Sequence, residues 1–204
     1  MFTGIVQDIG EIKKISKNGN YFEIDLKTKL ALNAKIDDSI AVSGVCLTIT
    51  HCQDQVLTVA AIKTTLLKTN LKNLKVNQKI NLELALTLQT PLGGHLVSGH
   101  VSHITKVSKV TKTNSYWLME FMLLKELKPY CFAEGSITIN GVSLTISRIT
   151  ARTFEVSIIP HSLKMTTLDK IKIGEMVNIE VDMIGKYIEN LLMNHPIIKK
   201  LHIT

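Results

Sequence analysis

Two short segments of the chain carry a small thiol or hydroxyl side chain two residues before a threonine. These are Cys46-x-Thr48 and Ser143-x-Thr145. A thiolate is a strong nucleophile, although a lone cysteine more often serves as a small hydrophobe. Each threonine taken alone is an ordinary strand residue. Because the pair occurs twice, the sequence predicts hydrogen bonding to two similar flat, polar ligands.

A third segment adds two histidines, in Gly93-Gly94-His95-Leu96-Val97-Ser98-Gly99-His100. The glycines allow the backbone to approach a ligand closely, and a histidine can act as a base near neutral pH. Two histidines could also begin a metal site. No carboxylate or cysteine stands at ligand spacing nearby, so we expect no metal.

The two Thr-bearing segments belong to an internal repeat at an offset of 97 residues. Residues 39–86 match 136–183 without a gap, and 15 of those 48 pairs are identical. The start repeats more weakly at an offset of 95, where residues 3–6 match 98–101. Duplication is the best explanation.

The copies differ at three chemically capable positions. When the two copies are aligned, Cys46 of the first copy corresponds to Ser143 of the second, Ala85 corresponds to Asp182, and Ile5 corresponds to His100. An aspartate that closes a strand is often only a turn residue. Together, the three differences predict unequal roles for the two copies.

Strands must position these residues. Val45, Leu47 and Ile49 alternate with polar side chains at the period of two that is typical of a half-buried strand. Further strands are predicted at 22–26, 56–60, 79–85, 116–122, 154–158 and 176–181, with short helical turns at 64–71 and 161–168. Many short strands favour a small barrel or sandwich. Residues 185–201 show apolar side chains at helical spacing, and this helix needs either its own barrel or another subunit to pack on.

The net charge of +7 comes almost entirely from lysine, with Arg148 and Arg152 as the two arginines. Specific phosphate and base recognition favours arginine, and aromatic residues make up only 5%, so nucleic-acid binding is the weakest reading. No apolar run reaches the roughly 20 residues that span a bilayer, so no membrane partner is expected. The three cysteines lack metal spacing and cannot all pair, which favours a reducing cytosol.

Taken together, these motifs are similar to those of the riboflavin synthase alpha chain, a lumazine-binding family. The similarity runs through the whole chain in order. Its segments are Met1-Phe2-Thr3-Gly4-Ile5-Val6, Gly44-Val45-Cys46-Leu47-Thr48, Gly93 to His100, Gly141-Val142-Ser143-Leu144-Thr145, Ile159-Pro160-His161 and Val177 to Asp182.

The resemblance implies an all-β fold of two tandem Greek-key, six-stranded antiparallel β-barrels with a C-terminal helix. The implied domains are residues 1–95, 96–184 and 185–204, the last assembling a homotrimer. Each barrel would hold one 6,7-dimethyl-8-ribityllumazine, with the first barrel of one chain facing the second barrel of a neighbour. A four-carbon unit would pass between the lumazines, giving riboflavin and 5-amino-6-(D-ribitylamino)uracil without a metal or redox cofactor. Docking with lumazine synthase stays open.

The resemblance also implies site residues. The catalytic neighbourhood would contain Phe2, Ser39, Cys46, His100 and Asp182, and either a side chain or water could be the nucleophile. The substrate-binding residues would be Gly4, Ile5, Val6, Cys46, Leu47, Thr48, Ala60, Ala61, Ile62, Lys63, Thr64, Thr65, Gly99, His100, Val101, Glu134, Ser143, Leu144, Thr145, Ile159, Pro160, His161, Ser162, Leu163 and Lys164.

Four positions depart from the family pattern. Glu134 stands where lysine is common, Thr64 where glutamate is common, Ser43 where asparagine is common, and Ser162 where threonine is common. Glu134 and Thr64 should therefore weaken or rearrange a ligand contact. A non-catalytic fluorescent relative that binds lumazine or flavin is the alternative. Because the family's catalytic side chains are present, the enzyme is favoured.

Overall fold

The computed structural model describes residues 1–19 and 21–194. They form two closed barrels of six antiparallel strands, followed by one helix, which confirms the predicted fold class. The strands of barrel one are β1 (Asp8–Asn18), β2 (Tyr21–Lys27), β3 (Ser39–Val42), β4 (Val45–Gln53), β5 (Val56–Ile62) and β6 (Lys79–Leu84). Those of barrel two are β7 (His103–Lys112), β8 (Trp117–Met122), β9 (Ser136–Ile139), β10 (Val142–Ile149), β11 (Thr153–Ile158) and β12 (Met176–Val181).

The remaining elements are short. The helices are α1 (Lys63–Lys68), α2 (Pro160–Met165) and α3 (Met183–Asn194), and short 3-10 helices lie at Lys29–Leu32, Asn70–Asn73, Lys125–Tyr130 and Thr167–Lys170. Helix α3 begins two residues before the predicted start. Residues 195–201 of the predicted helix lie outside the described ranges.

Both barrels have the same topology. Neighbouring strands follow the order β1-β2-β5-β4-β3-β6 in barrel one and β7-β8-β11-β10-β9-β12 in barrel two. Inward side chains of each barrel form a separate apolar core. The long first strands, β1 and β7, shift register at equivalent points, between Ile12 and Lys14 and between Val107 and Lys109. Such irregularities let a sheet curl and close on itself.

The barrels meet back to back at two hairpin turns. The turn joining β3 to β4 contains Ser43 and Gly44, with φ of 47° and 80°, and the turn joining β9 to β10 contains Asn140 and Gly141, with φ of 45° and 80°. Positive φ at both central residues is typical of the tightest hairpin turns. A Cβ atom on Gly44 would lie 2.6 Å from the Gly141 nitrogen. Glycine is therefore required where the two turns touch.

Two buried asparagines hold this seam together. Asn81 of β6 donates from Nδ2 to the Asn140 carbonyl (2.9 Å) and accepts at Oδ1 from the Thr167 backbone N–H (2.7 Å). Asn178, its equivalent in β12, makes the same two bonds to barrel one at 2.9 and 2.7 Å. Each asparagine thus satisfies backbone groups of the opposite barrel.

We expect Asn81→Ala to lower the free energy of unfolding by about 2–4 kcal/mol, because two buried backbone groups would lose their partners. Urea denaturation followed by circular dichroism measures the loss. Asn114→Ala, at an exposed asparagine, is the matched control. An equal midpoint for both variants would contradict the proposed role of the seam.

Candidate functional site

The chain enters each barrel through a short segment that contacts the other barrel. The Gly4 carbonyl, just before β1, accepts a hydrogen bond from the Ser143 backbone N–H in β10 at 2.7 Å. The Gly99 carbonyl, just before β7, accepts the equivalent bond from the Cys46 N–H in β4 at 2.9 Å. The two reactive segments predicted from the sequence are therefore each paired with the entry segment of the opposite barrel.

Both entry segments require glycine. Gly4 and Gly99 have φ of 73° and 80°, and a Cβ atom on either would lie 2.6 Å from the Cβ of the residue it faces. The crossing continues along the chain, since Val6 packs against the core of barrel two and Val101 against the core of barrel one. The predicted pocket residues 4–6 and 99–101 thus lie beside the opposite barrel's strands.

Beyond each reactive segment lies an exposed surface of mixed polarity, which we call a shelf. The shelf of barrel one consists of Thr48, Ile62, Lys63 and Thr64; the shelf of barrel two consists of Thr145, Ile159, Pro160 and His161. Ile62 is 59% exposed and Ile159 is 57% exposed. An apolar side chain beside hydroxyl groups suits a flat heterocycle with polar edges.

Other predicted substrate-binding residues are less available. Leu47, Ala61 and Leu163 are buried in the barrel cores, and Leu144 packs against the core of barrel two. A ligand on the shelves would meet their backbone rather than their side chains. Ala60, Thr65 and Ser162 are partly buried, and Lys164 is exposed.

His95, which the resemblance did not place among the site residues, lies within hydrogen-bond distance of two hydroxyl groups. His95 Nδ1 lies 2.7 Å from Ser143 Oγ, and its Nε2 lies 3.2 Å from Thr138 Oγ1. Thr138 is the direct cross-strand neighbour of Ser143. With the tautomer that carries its proton on Nε2, His95 donates to Thr138 and accepts from the serine hydroxyl. In this arrangement His95 is placed to accept the hydroxyl proton of Ser143, as in a serine–histidine pair.

Barrel one has an apolar arrangement at the equivalent place. Cys46 replaces Ser143, and its cross-strand neighbour is Ala41 instead of Thr138. Phe2 is fully buried there, in a cluster with Ala41 and Val97 that Cys46 and Ala85 also contact. Phe2 therefore belongs to the cluster that packs against Cys46, one of the candidate nucleophiles, but has no exposed surface of its own.

The other predicted catalytic side chains make no hydrogen bond to His95 or Ser143, although Asp182 lies close enough to favour the charged form of His95. His100 is exposed and borders a cavity of about 460 Å³ together with Glu180, Lys186, Tyr187 and others. Asp182 Oδ1 accepts from the Ile184 backbone N–H at 2.9 Å, so it caps the start of α3. Ser39 opens β3 directly opposite Thr48 of the first shelf.

The departures from the family pattern fall in two regions. Ser43 is buried at the seam, where its carbonyl accepts from Asn178. Its equivalent Asn140 has a side chain that accepts from Asn178 and Asn70. Glu134 is exposed, with φ of 69°, in the turn before β9, and Thr64 is an exposed part of the first shelf.

No group of three or more His, Cys, Asp or Glu side chains within residues 1–19 and 21–194 is arranged to hold a metal ion. Over the same ranges, no helix has both the length and the apolar character needed to cross a membrane.

Burial lowers the pKa of His95, while the nearby Asp182 and Glu180 carboxylates act in the opposite direction. We expect the ring to titrate below the ordinary value of about 6.5, so that it is neutral and able to accept a proton at pH 7. The stability gained from this neutral ring should be present above pH 6.5 and be lost as the pH falls below it. A histidine NMR titration, assigned with His95→Gln, measures the midpoint. A midpoint at or above 6.5 would contradict the expectation.

Known proteins resemble this chain over both barrels. A family model described as the lumazine binding domain matches the chain twice, at residues 3–85 and 98–182. The riboflavin synthase of Actinobacillus pleuropneumoniae is 39% identical over 197 residues, which cover 96% of this chain and 92% of that protein. The riboflavin synthase of Chlamydia pneumoniae is 40% identical over 188 residues, covering 91% and 92%.

A solved structure shows the same architecture. The crystal structure of LumP complexed with riboflavin superposes with a TM-score of 0.82 at 26% identity, covering 89% of this chain and 99% of that one. LumP has also been solved with 6,7-dimethyl-8-(1'-D-ribityl) lumazine, with a TM-score of 0.80. The family matches cover both barrels in sequence, and the fold agrees over both. The chain is therefore a member of the riboflavin synthase family, built from two lumazine-binding domains.

Proposed function

We infer that this chain is a riboflavin synthase, which converts two molecules of 6,7-dimethyl-8-ribityllumazine into riboflavin and 5-amino-6-(D-ribitylamino)uracil. The main support is sequence similarity: the chain is 39% identical to a riboflavin synthase over 96% of its length. The duplicated shelves support it, since the reaction consumes two copies of one substrate. Four carbon atoms leave one lumazine and join the other, so the pair conserves its composition and requires no external oxidant or reductant.

The unequal chemistry of the two barrels favours an enzyme over a protein that only binds lumazine. A protein that only binds lumazine needs a shelf but no reactive pair. Here His95 and Ser143 lie within hydrogen-bond distance, and burial lowers the pKa of His95, which favours its neutral form. LumP, which binds lumazine and riboflavin in crystals, represents the alternative function.

We assign proton transfer to barrel two. A proton on the 7-methyl group of lumazine is acidic because the resulting anion is delocalised into the ring. Ser143 Oγ would take this proton as it passes its own to His95, and Thr138 would hold the ring by accepting from Nε2–H. Removal of a proton by a positioned base contributes about 10²- to 10⁴-fold to a rate.

We assign the second lumazine to barrel one, beside Cys46. Cys46 packs against the buried Phe2 cluster, and a neighbouring subunit would shield the reactants from bulk water. Ser39, His100, Asp182 and Glu134 are proposed to border the substrates from the strand ends. Fixing two bulky reactants in one orientation supplies much of the catalysis such a reaction needs.

No segment within residues 1–19 and 21–194 covers either shelf, so we propose that the complete site forms between subunits. Helix α3 supports this, because none of its residues is buried. Its Tyr187, Ile188 and Leu191 are 62%, 51% and 71% exposed. Packing three such helices against one another would give the homotrimer that the resemblance implies. The three free thiols favour a reducing compartment such as the cytosol, and docking with lumazine synthase stays a prediction.

The activity is tested by incubating the full chain with 6,7-dimethyl-8-ribityllumazine and separating the products chromatographically. We expect riboflavin and the uracil product in equal amounts. Bound lumazine without product would support the binding function of LumP instead. If lumazine neither binds nor reacts, both functions are wrong.

We expect His95→Gln and Ser143→Ala to reduce kcat by about 10²-fold or more, as removal of a general base does. Cys46→Ala should also reduce turnover, whereas the exposed His51→Gln in barrel one should not. Steady-state kinetics with purified, folded variants measures the effect. Full activity of both His95→Gln and Ser143→Ala would remove the pair from the mechanism.

For assembly, we expect a mass of about 68 kDa by light scattering, three times the 22.7 kDa chain. Leu191→Lys should lower this mass, because a charge would be placed in the apolar helix contact. The exposed Lys125→Glu is the control. A monomeric wild-type chain that still turns over lumazine would contradict an intersubunit site.

A further inference from the structure

We propose that two buried glutamates, Glu83 and Glu180, are positioning residues that act across the seam. Each one holds the entry segment that sets the reactive side chains of the opposite barrel. The assignment of those side chains rests on the proposed function, but the mechanical coupling does not.

The two glutamates make the same set of three hydrogen bonds. Glu83 of β6, 3% exposed, accepts at Oε1 from the backbone N–H and hydroxyl of Thr3 (2.6 and 2.7 Å) and at Oε2 from Gly4 N–H (3.0 Å). Glu180 of β12, 4% exposed, repeats this with Ser98 (2.7 and 2.6 Å) and Gly99 (3.0 Å). All six partners are donors.

The segment held by Glu83 continues into barrel two. The Gly4 carbonyl accepts from Ser143 N–H at 2.7 Å, and the Thr3 carbonyl accepts from His95 N–H at 3.1 Å. One carboxylate in barrel one therefore fixes the backbone of both members of the serine–histidine pair.

The segment held by Glu180 continues into barrel one. The Gly99 carbonyl accepts from Cys46 N–H at 2.9 Å. The contact is close, because a Cβ atom on Gly99 would lie 2.6 Å from Cys46 Cβ. Glu180 therefore sets how closely the backbone covers the thiol.

A carboxylate is required at both positions because both of its oxygens face donors. Glutamine has nearly the same shape, but it would turn one N–H group toward the glycine N–H and leave that donor unsatisfied. Burial raises the pKa of Glu83, and the bonds from Thr3 and Gly4 oppose this rise. The Glu→Gln substitutions thus loosen the entry segments with little change in volume.

The first measurement is the alkylation rate of Cys46 by iodoacetamide. It is made in a Cys52→Ser background, since Cys131 is buried with a pKa raised to about 11. Glu180→Gln, in the other barrel, should raise the rate by about tenfold, the factor that corresponds to loss of one or two hydrogen bonds. Glu83→Gln, in the same barrel as Cys46, should leave the rate within about twofold.

The second measurement is the NMR titration of His95. Glu83→Gln should raise the His95 pKa toward its ordinary value, because the loosened ring becomes more hydrated. Glu180→Gln should not raise it, because Glu180 and Asp182 are the carboxylates that favour the charged ring. The exposed Glu126→Gln is the control in both measurements.

The crossed pattern decides the proposal. In this pattern Glu180→Gln raises the Cys46 alkylation rate and Glu83→Gln raises the His95 pKa. The proposal is overturned if each substitution changes only the group in its own barrel, if both substitutions change Cys46 and His95 equally, or if neither changes either group. If the glutamine variants fail to fold, Thr3→Val and Ser98→Ala each remove one of the three bonds and should give the same pattern at smaller amplitude. Neither measurement uses lumazine, so a chain that forms no riboflavin would overturn the proposed function and leave this inference to be judged on its own.

Discussion

The arrangement of this protein depends on a pair of backbone hydrogen bonds that cross between its barrels, from Ser143 N–H to the Gly4 carbonyl and from Cys46 N–H to the Gly99 carbonyl. A closed barrel has no free edge, so two such domains joined in tandem could be independent. Here the chain crosses over before it enters each barrel. Each reactive strand is consequently covered by a segment that belongs to the other copy, and neither candidate site is complete within one repeat.

Duplication followed by divergence explains why two barrels of the same topology have different side chains at the candidate sites. The seam keeps its symmetry in the glycine contact and the two asparagines, which satisfy backbone groups and tolerate little change. The positions above the seam have diverged. Barrel two has Thr138, Ser143 and Asp182 where barrel one has Ala41, Cys46 and Ala85. Under the proposed function, two similar ligands would be held alike while only one of them would meet His95.

Much of the fold follows from local patterns in the sequence. The period-two alternation around Leu47 and Leu144 predicts β4 and β10, and short strand-like segments predict six further strands, four of them inside the gapless repeat. The family resemblance, rather than the pattern, selects two barrels over a sandwich. The pattern does not single out β1 and β7, because a register shift in each interrupts the alternation of inward and outward side chains. The crossing of the entry segments also escapes prediction, since it depends on backbone contacts between residues up to about 140 positions apart along the chain.

The candidate site is predictable to a similar extent. Motif similarity locates Cys46, Ser143 and the two shelves, but His95 becomes significant only when the register places Thr138 beside Ser143. The difference between Ala41 and Thr138 in the repeat was the signal available for this. Phe2, predicted near the chemistry, is fully buried, a state that its position at the start of the chain does not suggest.

The most direct test of the central claim, that barrel one and barrel two supply unequal parts of one site between subunits, is complementation. Chains carrying Cys46→Ala and chains carrying Ser143→Ala are mixed in equal amounts, unfolded and refolded together, and assayed for riboflavin formation. In a cyclic trimer with each site between different chains, about a quarter of the sites would pair an intact barrel one with an intact barrel two. The account predicts that the mixture regains about this fraction of wild-type turnover. A mixture no more active than its two parents would contradict it.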